Sequence, residues 1–146
     1  MPLNKDDCQI LESHNTKTAK FTLKGYQTYA KCVYVYDGDT VHVVFKQPNS
    51  GECHKWVIRL MGIDTPEMKS KNAAEKAKAV QCRDYVRTKI LDKIVILDCL
   101  EFDKYGRLLA NIFLEGCDKS INQELIDTGL AKGYDGGTKE GWGELE

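Results

Sequence analysis

Nowhere in this chain do about 18 apolar residues follow one another, so no membrane-spanning helix is expected. The opening residues, Met1-Pro2-Leu3-Asn4-Lys5-Asp6-Asp7, lack the basic flank and apolar centre of a secretory leader, which predicts an intracellular protein. An excess of either charge is missing too: 21 basic residues against 22 acidic ones leave a net charge of -1. The chain as a whole therefore does not advertise a polyanion binder. Its six cysteines (Cys8, Cys32, Cys53, Cys82, Cys99 and Cys117) form no C-x-x-C pair and no cluster with histidine, which argues against structural zinc. With no leader, free thiols in a reducing compartment are the expectation.

What is present suits one compact domain of 146 residues, 42 % of them hydrophobic, as in a soluble globular protein. Charge is uneven locally. Between Lys69 and Lys93, eight basic residues accompany Glu75, Asp84 and Asp92, for which a solvated helix face is the ordinary reading.

Residues 1–18 are polar and aperiodic and read as a flexible arm, pinned if at all by Ile10 and Leu11. Phe21 to Tyr26 reads as a short extended piece. From Lys31 to Tyr36 the chain becomes β-branched and aromatic, Asp37-Gly38 turns it, and Val41 to Phe45 resumes, which is a hairpin pattern. Pro48-Asn49-Ser50-Gly51 makes a second turn before a strand from His54 to Met61. Helical periodicity follows from Asn72 to about Leu91, with Ala79, Cys82, Val86 and Ile90 on one stripe and Asn72/Glu75 resembling a capping box. Ile94-Val95-Ile96-Leu97 reads as a strand buried on both faces, and Leu108 to Leu114 as a fifth strand. Ser120/Gln123 opens a short helix that Gly129 closes, and the tail 135–146 is glycine-rich and irregular. Three strands, a helix, two strands and a helix is the order of a mainly β, α+β oligonucleotide-binding (OB) barrel, with a small sandwich as the other possibility.

The stretch Arg59-Leu60-Met61-Gly62-Ile63-Asp64-Thr65-Pro66-Glu67 carries the chemistry. A strand bearing an arginine breaks at a glycine and offers two carboxylates around a Thr-Pro step that favours extended geometry at Thr65. Carboxylate and carbonyl oxygens suit a hard divalent cation, and an arginine suits a phosphate. Taken singly, each residue also has a plain reading: Asp39 as a turn residue, Arg59 as a surface ion pair, Glu67 as a helix start, Arg107 as an exposed residue. Asp37 reads as a turn residue, with a ligand role as the lesser alternative. His14, His42 and His54 share no spacing, and Tyr34, Tyr36 and Phe45 read as core or sheet-face packing, with base stacking as the alternative in an OB fold.

Three motifs, Asp37-Gly38-Asp39-Thr40-Val41, Arg59 to Glu67 and Asp103-Lys104-Tyr105-Gly106-Arg107, with a fourth segment from Asn122 to Lys132, resemble the staphylococcal nuclease (thermonuclease) family over residues 30–134. The resemblance implies a calcium-dependent endonuclease on an OB barrel spanning residues 19–134, cutting DNA or RNA to 3′-phosphate products. It implies Asp39, Asp64 and the Thr65 carbonyl as ligands of one calcium ion, other divalent cations being possible. Arg59 and Arg107 resemble the family's phosphate-binding arginines, and Glu67 its general base. Lys104, Tyr105, Lys132 and Tyr134 resemble substrate-binding residues. The chain departs from the family in lacking the long final helix and in a shorter lysine-bearing loop after Glu67. A monomer is expected. The alternative reading is a non-catalytic OB module that binds nucleic acid or a protein.

Overall fold

The computed structural model describes residues 2–135. Five strands close a barrel: β1 (Gln27–Val35), β2 (Thr40–Lys46), β3 (Cys53–Leu60), β5 (Ile94–Phe102) and β6 (Leu108–Phe113), in the order β1-β2-β3-β6-β5. β3 and β6 run parallel and the other neighbours antiparallel, which gives an OB-type barrel rather than a sandwich. Alternation of inward and outward residues is clearest in β2. There Val41, Val43 and Phe45 point into the core while His42 and Val44 do not.

A 7-residue helix α1 (Asp6–Glu12) precedes the barrel, α2 (Ala73–Ile90) lies between β3 and β5, and α3 (Ile121–Asp127) follows β6. Among the described residues none is a helix long and apolar enough to cross a membrane. Ala79, Cys82, Val86 and Ile90 form the buried stripe of α2, as the sequence periodicity predicts. Gly129 follows α3 at φ +77°, and the Leu130 N–H reaches back to the Leu125 carbonyl, the left-handed ending that glycine makes inexpensive.

Four expectations need correction. α1 buries no residue, and Ile10 and Leu11 are 62 % and 65 % exposed, so they do not pin the arm. Residues 21–26 form no strand; Gly25 and Tyr26 already share backbone hydrogen bonds with Cys99 of β5, but a turn closed by the Tyr26 N–H on the Leu23 carbonyl, with Gly25 at φ +88°, interrupts the extended line, and the ladder starts at Gln27. Ile94 is 59 % exposed, so β5 is open to solvent at its start rather than buried on both faces. Neither capping box is reciprocal. Asn72 and Ser120 accept helix N–H groups, but Glu75 bonds instead to the Glu67–Ser70 loop and Gln123 to Asp127. Of the glycine-rich tail, residues 136–146 lie outside the described residues.

Two short strands were not foreseen. β4 (Ile63–Asp64) pairs with β7 (Lys132–Gly133), and the Tyr134 N–H donates to the Gly62 carbonyl at 2.8 Å, fixing the chain beyond α3 against the break after β3. Asn122 strengthens the same corner. Its side chain donates to the Met61 and Ala110 carbonyls and accepts the Ile112 N–H, so one buried amide joins α3, β6 and the end of β3.

Candidate active site

The β1–β2 turn is built by Asp37, whose Oδ1 accepts the N–H groups of Asp39 at 3.1 Å and Thr40 at 2.9 Å. Thr40 pairs with Arg59 across the ladder, and the Leu60 N–H bonds the Asp39 carbonyl, so the sheet register itself sets Asp39 beside Arg59. The Asp39 carboxylate receives Arg59 Nη2 at 3.5 Å and the hydroxyls of Thr40 and Thr65, each at 3.0 Å. Arg59 is almost wholly buried, and its guanidinium also donates to the carbonyls of Leu60 and Ile63. Those bonds hold the plane of the fork still, which pre-organises whatever it offers to the cleft.

Burial, followed by the charge of Asp39, pushes the Asp37 carboxyl up to about 7. Burial acts on Asp39 in the same direction. There the Arg59 cation and the hydrogen bonds from its neighbours outweigh burial, and Asp39 lies below the usual carboxylate range. Two acids thus share a partly buried corner with unequal affinities for a proton.

Tyr36, Asp37, Asp39, Thr40, Arg59, Thr65, Pro66, Glu67 and Arg107 line one cleft of about 220 Å³. Both arginines therefore face the same space as Asp39 and Glu67, although Arg107 stands on the turn before β6. Arg107 is oriented by Asp103, which accepts its Nε at 2.7 Å and its backbone N–H at 2.9 Å. Burial would raise the Asp103 carboxyl, but those bonds from Arg107 and one from Tyr105 bring it below its ordinary value. Arg59 and Arg107 are shared with a second, more apolar pocket of about 350 Å³, where Lys104, Tyr105 and Tyr134 stand with Met61, Leu109 and others.

Asp64 is buried next to Thr65 and is not among the residues lining the cleft. Lys132 lines neither space; its backbone pairs with Asp64. Sequence reasoning missed the parts played by Asp103, Glu75 and Tyr36. Asp103 was legible as a turn residue four before an arginine, and Glu75 only as a capping residue.

The family model described as staphylococcal nuclease homologue matches residues 57–141. The chain belongs to the staphylococcal nuclease family. The chain is 33 % identical over 128 residues to an uncharacterized protein of Methanocaldococcus jannaschii, covering 73 % of this chain and 59 % of that one. It is 35 % identical over 102 residues to Endonuclease YncB of Bacillus subtilis, covering 66 % of this chain and 43 % of that one. A probable endonuclease of Schizosaccharomyces pombe is 31 % identical over 84 residues, covering 54 % of this chain and 36 % of that one. The chain spans about half the length of the curated relatives it matches.

The donors at the cleft decide whether a divalent cation fits there. Among the described residues no three acidic, histidine or cysteine side chains converge, so hydroxyl, carbonyl and water oxygens would have to complete any shell. Hard divalent ions accept such a set. Burial, and after it the charge of Asp39, raises the neighbouring Asp37 carboxyl to about 7; Asp39 itself offers the cleft a carboxylate beside Thr65, whose hydroxyl it holds, and Asp64 adjoins Thr65 in the chain. The residues fit.

Proposed function

We propose that this domain is a divalent-cation-dependent endonuclease that hydrolyses phosphodiester bonds of DNA or RNA to 3′-phosphate products. One observation carries the reading: Arg59 and Arg107, from separate parts of the chain, line one polar cleft with Asp39 and Glu67. A phosphodiester repels nucleophiles and gathers negative charge as it reacts, so fixed positive charge is the first requirement of a catalyst.

Arg59, held by two carbonyls, presents its remaining guanidinium edge to a phosphate oxygen. Arg107, held by Asp103, grips a second oxygen and steadies the 5′ oxygen as it leaves. Glu67, exposed at the cleft's rim, takes a proton from the attacking water. The water oxygen bonds to phosphorus, the bond to the 5′ oxygen breaks, that oxygen takes a proton from solvent, and the phosphate remains on the 3′ side. Asp39, Asp64 and the Thr65 carbonyl are the groups that would hold one calcium ion, which when bound supplies positive charge beside the phosphate and acidifies water. Tyr105, Lys104 and Tyr134 offer the neighbouring pocket to a base and sugar, and Lys132, on β7 two residues before Tyr134, is the further cation proposed for the substrate.

The test is cleavage of end-labelled single-stranded DNA and RNA with calcium, with magnesium and with a chelator. Cleavage in a divalent ion that stops on chelation is expected. Cleavage insensitive to chelation, or none in any divalent ion, would overturn the reading and favour a non-catalytic binding module.

A further inference from the structure

Helix α1 takes no part in that mechanism, and neither does one face of the barrel. Asp7, Ile10 and Leu11 stand three and four residues apart and so share one side of α1, and all three are exposed. A helix of 7 residues does not persist by propensity alone, and its apolar side needs a surface to lie on. Against its own barrel α1 buries no residue.

An apolar surface is open on the outside of β1, β5 and β6. Tyr29, Ile96 and Phe113 pair in one outward row, and Lys31 pairs with Ile94 in the next. Tyr29 and Ile94 are both 59 % exposed, and Gln27, Thr28, Tyr29 and Ile96 line a hollow of about 240 Å³. The charges match as well. α1 carries Asp6, Asp7 and Glu12 and no basic residue, whereas exposed Lys31 stands beside Ile94. Of the acids nearby, Glu115 is engaged by the Tyr29 hydroxyl at 3.1 Å and Asp98 stands a row beyond Ile96.

Which copy supplies the helix follows from where the arm is anchored. Leu23 is buried and the Thr22 hydroxyl bonds Glu101 at 3.1 Å, so the arm leaves the barrel at the Phe102 end of β5. Ile96 and Ile94 lie six and eight residues back along that strand, about 20 to 26 Å away at ordinary strand rise. Two turns, closed by the His14 N–H on the Leu11 carbonyl and the Thr18 N–H on the Asn15 carbonyl, shorten the segment between α1 and that anchor. Reaching its own face would take most of the length left, whereas a second copy can bring the face to the arm. We propose that α1 of each copy lies on the β1–β5–β6 face of another, two copies exchanging arms about a twofold axis, with Ile10 and Leu11 over Tyr29 and Ile94 and Asp7 toward Lys31. This replaces the monomer expected from the sequence and stands independently of the nuclease reading.

Sedimentation velocity over about a hundredfold range of concentration should show a monomer passing to a dimer, because two short helices make a small interface. Amides of α1 should be protected from hydrogen exchange at the dimer end of that range and open at the dilute end. The Ile10→Ser/Leu11→Ser variant on the helix and Ile94→Glu on the face should each weaken the dimer at least tenfold and remove that protection. All three side chains are exposed, and circular dichroism separates a lost contact from a lost fold. A monomer throughout, or a dimer that either variant leaves intact, would overturn the proposal. Protected α1 amides in a monomer, lost in Ile94→Glu, would put the arm on its own barrel and overturn the exchange between copies.

Discussion

The Glu75 carboxylate, in the first turn of α2, accepts the backbone N–H of Glu67 at 2.9 Å and the Ser70 hydroxyl at 3.1 Å. Ser70 in turn receives the Asn72 N–H, and Asn72 caps α2. The loop carrying the proposed base is thereby fastened to the start of a helix whose other face is in the core. Glu75→Ala should free that loop and lower the cleavage rate about tenfold to a hundredfold with little change in KM, since small misplacements of a reacting group are costly. Faster hydrogen exchange at the Glu67 amide is the accompanying sign. A variant with slowed cleavage but native exchange at that amide would assign Glu75 another role.

Arg107 is set by Asp103, and each should matter in a different way. Arg107→Ala should slow cleavage by about 10² to 10³ if its charge is needed as the leaving oxygen departs. Asp103→Ala leaves the cation but frees its direction, so a smaller loss is expected. Single-turnover rates on one oligonucleotide would rank the two, and equal losses would mean that Asp103 supports the turn rather than the guanidinium.

The Asp37 carboxyl titrates near 7 in the folded chain against an ordinary value of 3.8. A folded value above the unfolded one means that this group's contribution to stability is full below about 4 and is lost as the pH rises through about 7. Asp37→Asn keeps the oxygen that receives the Asp39 and Thr40 N–H groups and removes the charge. In chelator, its urea midpoint relative to the native chain should therefore rise between pH 5 and pH 8. A pH-independent difference would place the group's titration elsewhere.

A Cβ at Gly38 would lie 2.3 Å from Cys82 Sγ, with Cys82 Cβ and Thr65 Cγ2 at 3.2 Å and 3.3 Å. The turn bearing Asp39 thus rests directly on α2. Gly38→Ala should cost about 1–3 kcal/mol through overpacking, and adding Cys82→Ala should recover part of it. Chemical denaturation of both single variants and the double variant gives the coupling; strict additivity would show that the contact carries no energy.

Asn122→Ala removes the partner of one N–H and two carbonyls in a buried corner. A loss of about 1–3 kcal/mol is expected, the usual cost of leaving such groups unmet. A lower urea midpoint with an unchanged slope is the signature.

The sequence by itself determined the order of strands and helices, the buried stripe of α2 and the hairpin turn at Asp37-Gly38, because each is written within a few neighbouring residues as periodicity or turn chemistry; the candidate acids and arginines came from the resemblance of four motifs to a known family. Tertiary structure alone decided which of those groups meet. Strand register set Asp39 beside Arg59, barrel closure carried Arg107 round to the same cleft, and the Glu75 carboxylate turned from its own helix end to the Glu67 loop. It also left Tyr34 and Tyr36 outside the core, Tyr34 against the His42 ring on the outer sheet face. Local patterns fix which face of a strand a side chain takes, whereas what lies opposite that face depends on chain segments dozens of residues away.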